Sequence, residues 1–258
     1  MPFDFVPIVV FSIVGALAFF VRGVTGAASA IVANACFLVL LAGGALGPIG
    51  LLDAIYWIAL VDVAATIILG WAIRDQLRLD SLARRFILGA VPVNVLFTVL
   101  LPRVDLAVLG LGLGLAVIAA GVYLAARRAA PTLAEDRLRP WAPAAGAASG
   151  ILGGLYGMGG PVGVLFFARA EGDPTRFRAL ITSIFAVTGT IRLAVLALEG
   201  SYTPERLGWA VASLPAIALG LAVGYRVHDR VTPVRFRLAL GVIVTLAGLV
   251  GLVRALTG

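Results

Sequence analysis

Three charged residues stand inside long apolar stretches of the chain: Arg22, Asp62 and Arg192. A charge in hydrocarbon is costly and usually marks a substrate or ion path. A guanidinium can grip a carboxylate or an oxyanion through two parallel hydrogen bonds. Arg22 is therefore a candidate anion ligand, and Arg192 a second one or a counter-charge. Asp62 is a candidate coupling residue that takes up and releases a proton. Plainer readings stand beside these. Arg22 could reach the cytoplasmic face at a helix end, Arg192 could snorkel from its span, and Asp62 and Arg192 could form a structural ion pair.

Arg22 leads into the first of two glycine-rich interruptions, Arg22-Gly23-Val24-Thr25-Gly26-Ala27-Ala28-Ser29. The second reads Gly153-Gly154-Leu155-Tyr156-Gly157-Met158-Gly159-Gly160-Pro161. Glycine and proline at that density interrupt a helix. A helix end leaves backbone N–H and C=O groups without intrahelical partners, and lipid cannot satisfy them. Helix N-termini also carry partial positive charge, which suits an anion. Gly23, Thr25, Gly26, Ser29, Tyr156, Gly157, Gly159 and Gly160 are thus candidate substrate-binding residues, with Arg22 and Arg192. Other buried-looking hydroxyls, such as Thr182, Ser183 and Thr188, are expected to bond their own helix backbone. Asn94 follows Pro92 and is expected to cap the carbonyl that proline frees. Asp53 is expected at a membrane interface.

No nucleophile–base pair, metal-ligand spacing or phosphate loop occurs, so neither an enzyme nor a cofactor is indicated. Cys36 is the sole cysteine and His228 the sole histidine. The first excludes an internal disulfide; the second is expected to be a solvated loop residue.

The elements that must carry these residues are membrane helices. Of 258 residues 61% are apolar and 13% charged, with a mean hydropathy of +1.08. Soluble domains carry about 25% charged residues, so this chain has too little polar surface to cover a water-soluble globule. Six segments, about 48–73, 84–101, 104–126, 178–198, 207–226 and 234–256, are long enough to cross a ~30 Å hydrocarbon layer. Residues 5–42 and 140–170 are apolar but broken. The second is too short for two full spans and is expected to form a hairpin of two helices of about 15 residues each. The first could form either full spans or a similar re-entrant pair.

All twenty basic residues are arginine, and fifteen of them lie in the loops 74–85, 127–139, 169–178 and 226–237. The positive-inside rule places these loops in the cytoplasm and both termini on the outer side of a cell inner membrane. The N-terminus lacks a basic region before its apolar run, so no cleaved signal peptide is expected. The net charge of +7 reads as this orientation signal rather than as a nucleic-acid footprint.

Similar features recur in order along the chain. Gly23-Val-Thr-Gly26 lies over Gly154-Leu-Tyr-Gly157, Gly89-Ala-Val-Pro92 over Ala212-Ser-Leu-Pro215, and Gly114 with Gly121 over Gly241 with Gly248. Five passes or arms per half is an odd number, so the halves would be inverted relative to one another. The expected fold is an all-α polytopic membrane protein. It is one transmembrane domain over 1–258: a first repeat over 1–128, a cytoplasmic connection over 129–139 and a second repeat over 140–258. Each repeat would hold a Gly-broken helical hairpin and three spanning helices. Inverted repeats with broken helices typify secondary transporters.

At its breaks the chain resembles the sulfite exporter TauE/SafE family. The resemblance rests on Gly150-Ile-Leu-Gly153-Gly154-Leu-Tyr-Gly157-Met-Gly159-Gly160-Pro161. It rests also on Phe177-Arg178-Ala179 leading into a span that ends Ile191-Arg192-Leu193, with Gly200 beyond. The first half departs from the family pattern, carrying Gly26-Ala-Ala-Ser-Ala30 where a Gly-x-Gly run is usual. The resemblance implies transport, chiefly export, of a small anion such as sulfite, a sulfonate or a related organic acid. Alternating access with the site at the two broken hairpins is expected. The expected partners are that anion, a coupling proton or sodium ion and the lipid bilayer; a homo-oligomer is compatible with this reading. The competing expectations are an uncoupled anion channel and a non-transporting membrane assembly protein.

Overall fold

A computed structural model of the chain describes residues 5–25, 28–44, 49–72, 79–126, 133–227 and 233–257. Among them every regular element is helical: α1 (Phe5–Thr25), α2 (Ser29–Ala42), α3 (Leu51–Ala72), α4 (Ser81–Leu100), α5 (Leu106–Ala126), α6 (Glu135–Leu138), α7 (Ala142–Tyr156), α8 (Gly160–Phe167), α9 (Pro174–Leu198), α10 (Pro204–Val227) and α11 (Pro233–Thr257). Seven helices are long and apolar enough to cross a membrane: α1, α3, α4, α5, α9, α10 and α11. Six of these are the six segments expected from hydropathy, and α1 is the seventh. The protein is a multi-pass membrane protein.

Local chemistry sets the helix ends. Asp80 caps α4 by accepting from Ala83 N at 2.7 Å. Asp173 caps α9 by accepting from Arg176 N at 2.8 Å, with Pro174 at the first helical position, where its missing N–H costs nothing. Asp105 accepts from Ala107 N at 2.8 Å at the start of α5. The α9 helix stops at Gly200, whose φ of 69° closes the last turn as side-chain-bearing residues rarely do.

The outward surface is apolar. Leu88 is 73% exposed, Leu219 66% and Ile243 63%. A soluble monomer does not expose apolar surface on this scale, whereas hydrocarbon is a suitable solvent for it.

The chain divides into two compact units. The first comprises residues 1–58, 104–127 and 202–258; the second comprises 59–103 and 128–201. Each unit therefore draws helices from both halves of the sequence. In the first unit α1 packs on α10 and α5 on α11; in the second, α4 packs on α7. Glycines permit these approaches. A Cβ on Gly23 would lie 2.6 Å from Leu221 O and 2.8 Å from Tyr225 N. One on Gly150 would lie 2.5 Å from Ala90 O, and one on Gly154 2.7 Å from Asn94 O. Without a hydrophobic drive between helices in lipid, such close backbone packing is what holds them together.

The contacts also give direction. Ala16, Phe20 and Gly23 meet Gly220, Gly224 and Tyr225 in rising order, so α1 and α10 run parallel. Phe86, Ala90 and Asn94 meet Gly146, Gly150 and Gly154, so α4 and α7 are also parallel. Gly114, Ile118 and Gly121 meet Leu252, Gly248 and Thr245 in falling order, so α5 and α11 are antiparallel. Pro92 and Pro215 both lie inside helices, α4 and α10.

In the first unit Phe11, Phe37, Trp57 and Trp209 form an aromatic cluster with ring centroids 5.0–5.8 Å apart. Trp57 Nε1 donates to Ser213 Oγ at 3.0 Å. Asp53 lies in the first turn of α3. It accepts from Gly50 N at 2.9 Å and pairs with Arg206 at 2.7 Å, and the Arg206 guanidinium lies 4.9 Å from the centre of the Tyr56 ring.

Candidate functional site: two interrupted helices

The first interruption lies in the first unit. The α1 helix runs to Thr25 and α2 starts at Ser29; Gly26 lies outside the described residues. Ala28 precedes α2 with a φ of 79°. A non-glycine residue in that left-handed region is strained by roughly 1–2 kcal/mol, and such strain persists only where the surroundings impose it. Ala28, at the N-cap of α2, makes no side-chain capping hydrogen bond.

Arg22, in the last turn of α1, is 8% exposed. Its Nη1 donates to the buried Ser29 Oγ at 3.4 Å, and its guanidinium lies 5.6 Å from the centre of the Phe19 ring. A guanidinium in the last turn of α1 and a hydroxyl in the first turn of α2 thus meet at the break, and both are donors suited to an anion. Thr25 has spent its hydroxyl locally, donating to Val21 O at 2.8 Å. Gly23 is required for packing, since its α-carbon faces the backbone of α10.

The second interruption lies in the second unit. The α7 helix ends at Tyr156, Gly157 takes φ 70°, and α8 begins at Gly160 with Pro161 in its first turn. Gly157 N donates to Gly153 O at 2.9 Å and Met158 N to Leu152 O at 3.0 Å. Two of the carbonyls that the helix end orphans are thereby satisfied. The arms are unequal, 15 residues in α7 and 8 in α8, rather than about equal. Pro161 fixes where α8 starts, and the chain turns off after Phe167. At 1.5 Å per residue neither arm crosses a ~30 Å core.

Arg192 projects from α9 and is 4% exposed, which excludes a snorkelling side chain. Its Nε donates to Gly154 O at 3.3 Å. That carbonyl also lies within 3.5 Å of Thr98 Oγ1. Arg192 thus stands at the negative end of α7, the favourable end for a cation. Ser149 Oγ donates to Gly159 O at 2.9 Å and ties the turn back onto α7. A Cβ on Gly159 would lie 2.8 Å from that Oγ, whereas one on Gly160 would make ordinary contact with Phe185 at 3.4 Å. Tyr156 is buried.

Asn94 packs against the second break. Its amide nitrogen would lie 2.8 Å from a Cβ on Gly153, so the amide fills the space that glycine leaves. Sequence reasoning missed Ser149 and Thr98. Their signal was spacing: Ser149 is one turn before Gly153, and Thr98 one turn after Asn94, which places each on the face already marked as polar or small. Ser183 and Thr188 bond Ala179 O and Ile184 O of their own helix, as expected. Asp62 is half-buried in α3, and its backbone carbonyl accepts from Thr66 Oγ1 at 2.6 Å. The adjacent Val63 side chain would lie 3.2 Å from a Cβ on Gly189 of α9.

The two breaks offer arginine, hydroxyl and helix-terminal groups, which are hydrogen-bond donors of the kind that suit an oxyanion. A protein of Cupriavidus necator named probable sulfite/organosulfonate exporter TauE is 30% identical over 100 residues, which are 38% of this chain and 39% of that protein. The match therefore spans about two fifths of that relative's length. No solved structure matches the chain. Residues 11–251 match the family described as sulfite exporter TauE/SafE, and the chain belongs to that family.

Proposed function

We propose that the protein is a secondary transporter that exports a small anion, such as sulfite, a sulfonate or a related organic acid, by alternating access. The observation that carries this reading is the α1–α2 break. There a buried guanidinium stands 3.4 Å from a buried serine hydroxyl at the start of a helix whose N-cap residue is an alanine. Pyramidal, tetrahedral or planar oxyanions present several acceptors, and an arginine, a hydroxyl and backbone N–H groups are donors that match them. The family and the name of the C. necator relative support the substrate class.

In this reading both breaks are re-entrant and both serve anion binding. Arg22, Gly23, Thr25, Gly26 and Ser29 belong to the first, and Tyr156, Gly157, Gly159, Gly160 and Arg192 to the second. Asp62 carries the coupling proton. Inverted repeats are part of the proposal. They are supported by the exchange of pairing partners: the first helix of one half lies parallel to the fourth of the other in both α1–α10 and α4–α7, while the fifth helices α5 and α11 run antiparallel. An inversion that relates the halves generates that pattern.

The test is flux into proteoliposomes with sulfite, a short-chain sulfonate and acetate under an imposed pH gradient. Gradient-driven accumulation of one of these anions is expected. Flux that never exceeds equilibration would identify a channel, and absence of flux for every anion would remove the transport reading.

A further inference from the structure

We propose that a groove at the N-terminal ends of α4 and α7 binds the phosphate headgroup of an anionic phospholipid. The groove is an open cavity of about 660 Å³ within the second unit. Arg84, Arg85 and Arg139 line it together with Ser81, Leu88 and Pro143. None of these residues belongs to the transport site, so the inference stands apart from the identity of the exported anion.

Three observations converge on a lipid. The first is charge. Three arginines and one acidic residue, Asp80, line the cavity. That carboxylate is engaged in capping Ala83 N at 2.7 Å, and the nearby Glu135 is held by Ser81 Oγ at 2.6 Å. Arg84 Nε donates to Leu79 O at 3.1 Å, which anchors one edge of its guanidinium at the rim. The second is position. The apolar span of α4 begins at Ser81, and Trp141 at the neighbouring turn is 68% exposed, as a belt residue at the headgroup level is. The third is polarity gradient. Leu88, two turns into α4, and Pro143 extend the groove from its basic rim onto apolar surface. A free phosphate would use only the rim, whereas a phospholipid would place its phosphate on the arginines and its acyl chains along Leu88. Basic pockets between membrane helices on the cytoplasmic side are suited to such headgroups, and Arg84, Arg85 and Arg139 lie in loops expected on that side.

The experiment is native mass spectrometry of the purified full chain titrated with phosphatidylglycerol or phosphatidylcholine of matched chain length. The wild type should retain phosphatidylglycerol about tenfold or more over phosphatidylcholine. The combined Arg84→Gln, Arg85→Gln and Arg139→Gln variant should lose that preference. A control that removes the exposed Arg176, Arg226 and Arg254 in the same way should keep it. Millimolar inorganic phosphate should leave lipid retention unchanged. If the triple variant does not fold, Arg139→Gln alone, on an exposed turn, should lower the preference several-fold. Equal retention of the two lipids by the wild type, an undiminished preference in the variants, or displacement of the lipid by phosphate would each overturn the proposal.

Discussion

The two interruptions solve the same backbone problem with different residues. At the α7–α8 break a glycine, Gly157, takes the left-handed conformation at φ 70°; before α2 an alanine, Ala28, takes it at φ 79°. The buried arginines differ in the same way. Arg192 donates to the Gly154 carbonyl at the C-terminal end of α7, a carbonyl that also accepts from Thr98 Oγ1, so it adds a charge-assisted bond to that helix end. Arg22, in the last turn of α1, meets a serine hydroxyl at the N-terminal end of α2 instead of a carbonyl. The second break is closed by its own turn and by Arg192, whereas the first brings a guanidinium to a hydroxyl at a helix start. Arg22 is accordingly the stronger ligand candidate, and Arg192 first a brace.

That contrast can be broken most directly at the arginines. Arg22→Gln removes a charge-assisted hydrogen bond of about 1.5–3 kcal/mol. It should weaken sulfite binding about 10- to 150-fold by calorimetry in detergent, whereas Arg103→Gln, outside both breaks, should leave it unchanged. Arg192→Gln should instead lower thermal stability, by about 1.5–3 kcal/mol for the charge-assisted hydrogen bond it gives up, and shift sulfite affinity far less than Arg22→Gln. Equal effects on affinity at the two positions would erase the distinction.

Packing at the second break gives the next effect. Gly159→Ala places a methyl group 2.8 Å from Ser149 Oγ, while Gly160→Ala meets Phe185 at 3.4 Å. The first should cost about 1–3 kcal/mol in a denaturation series; the second should be close to neutral. The left-handed positions should respond with opposite signs. Gly157→Ala should destabilise by about 1 kcal/mol, and Ala28→Gly should be neutral or stabilising by a similar amount. A destabilising Ala28→Gly would show that the alanine methyl packs usefully, and that the strain is offset on the spot. The smallest structural effect is expected at Asp62. Asp62→Asn should leave the fold unchanged while removing the pH-gradient dependence of flux; an unchanged pH profile would make the carboxylate structural.

Much of this was legible in the chain. Six spans followed from apolar runs long enough for a bilayer, and both breaks from glycine density, because helix propensity and hydropathy are local properties. The family resemblance rested on the same glycine run. Other features were not legible. The lengths of α7 and α8 are unequal, which a count of apolar residues over 140–170 does not reveal. Asp53 finds Arg206, a partner 153 residues away, and Asn94 occupies the hollow beside Gly153. Ser149 and Thr98 look like ordinary helical hydroxyls until the α7–α8 turn folds back and the α4–α7 pair closes.

Sequence alone determined that the protein is helical, that it lives in a membrane, where its helices break and which buried charges stand near the breaks. Each of these depends on residues within one or two helical turns of each other. Only the tertiary structure decided which glycines serve close packing, and that Arg192 answers a carbonyl while Arg22 meets a hydroxyl at a helix start. Those outcomes depend on which helix ends lie against which side chains. That is set by backbone approaches between elements far apart in the chain, and no local pattern encodes them.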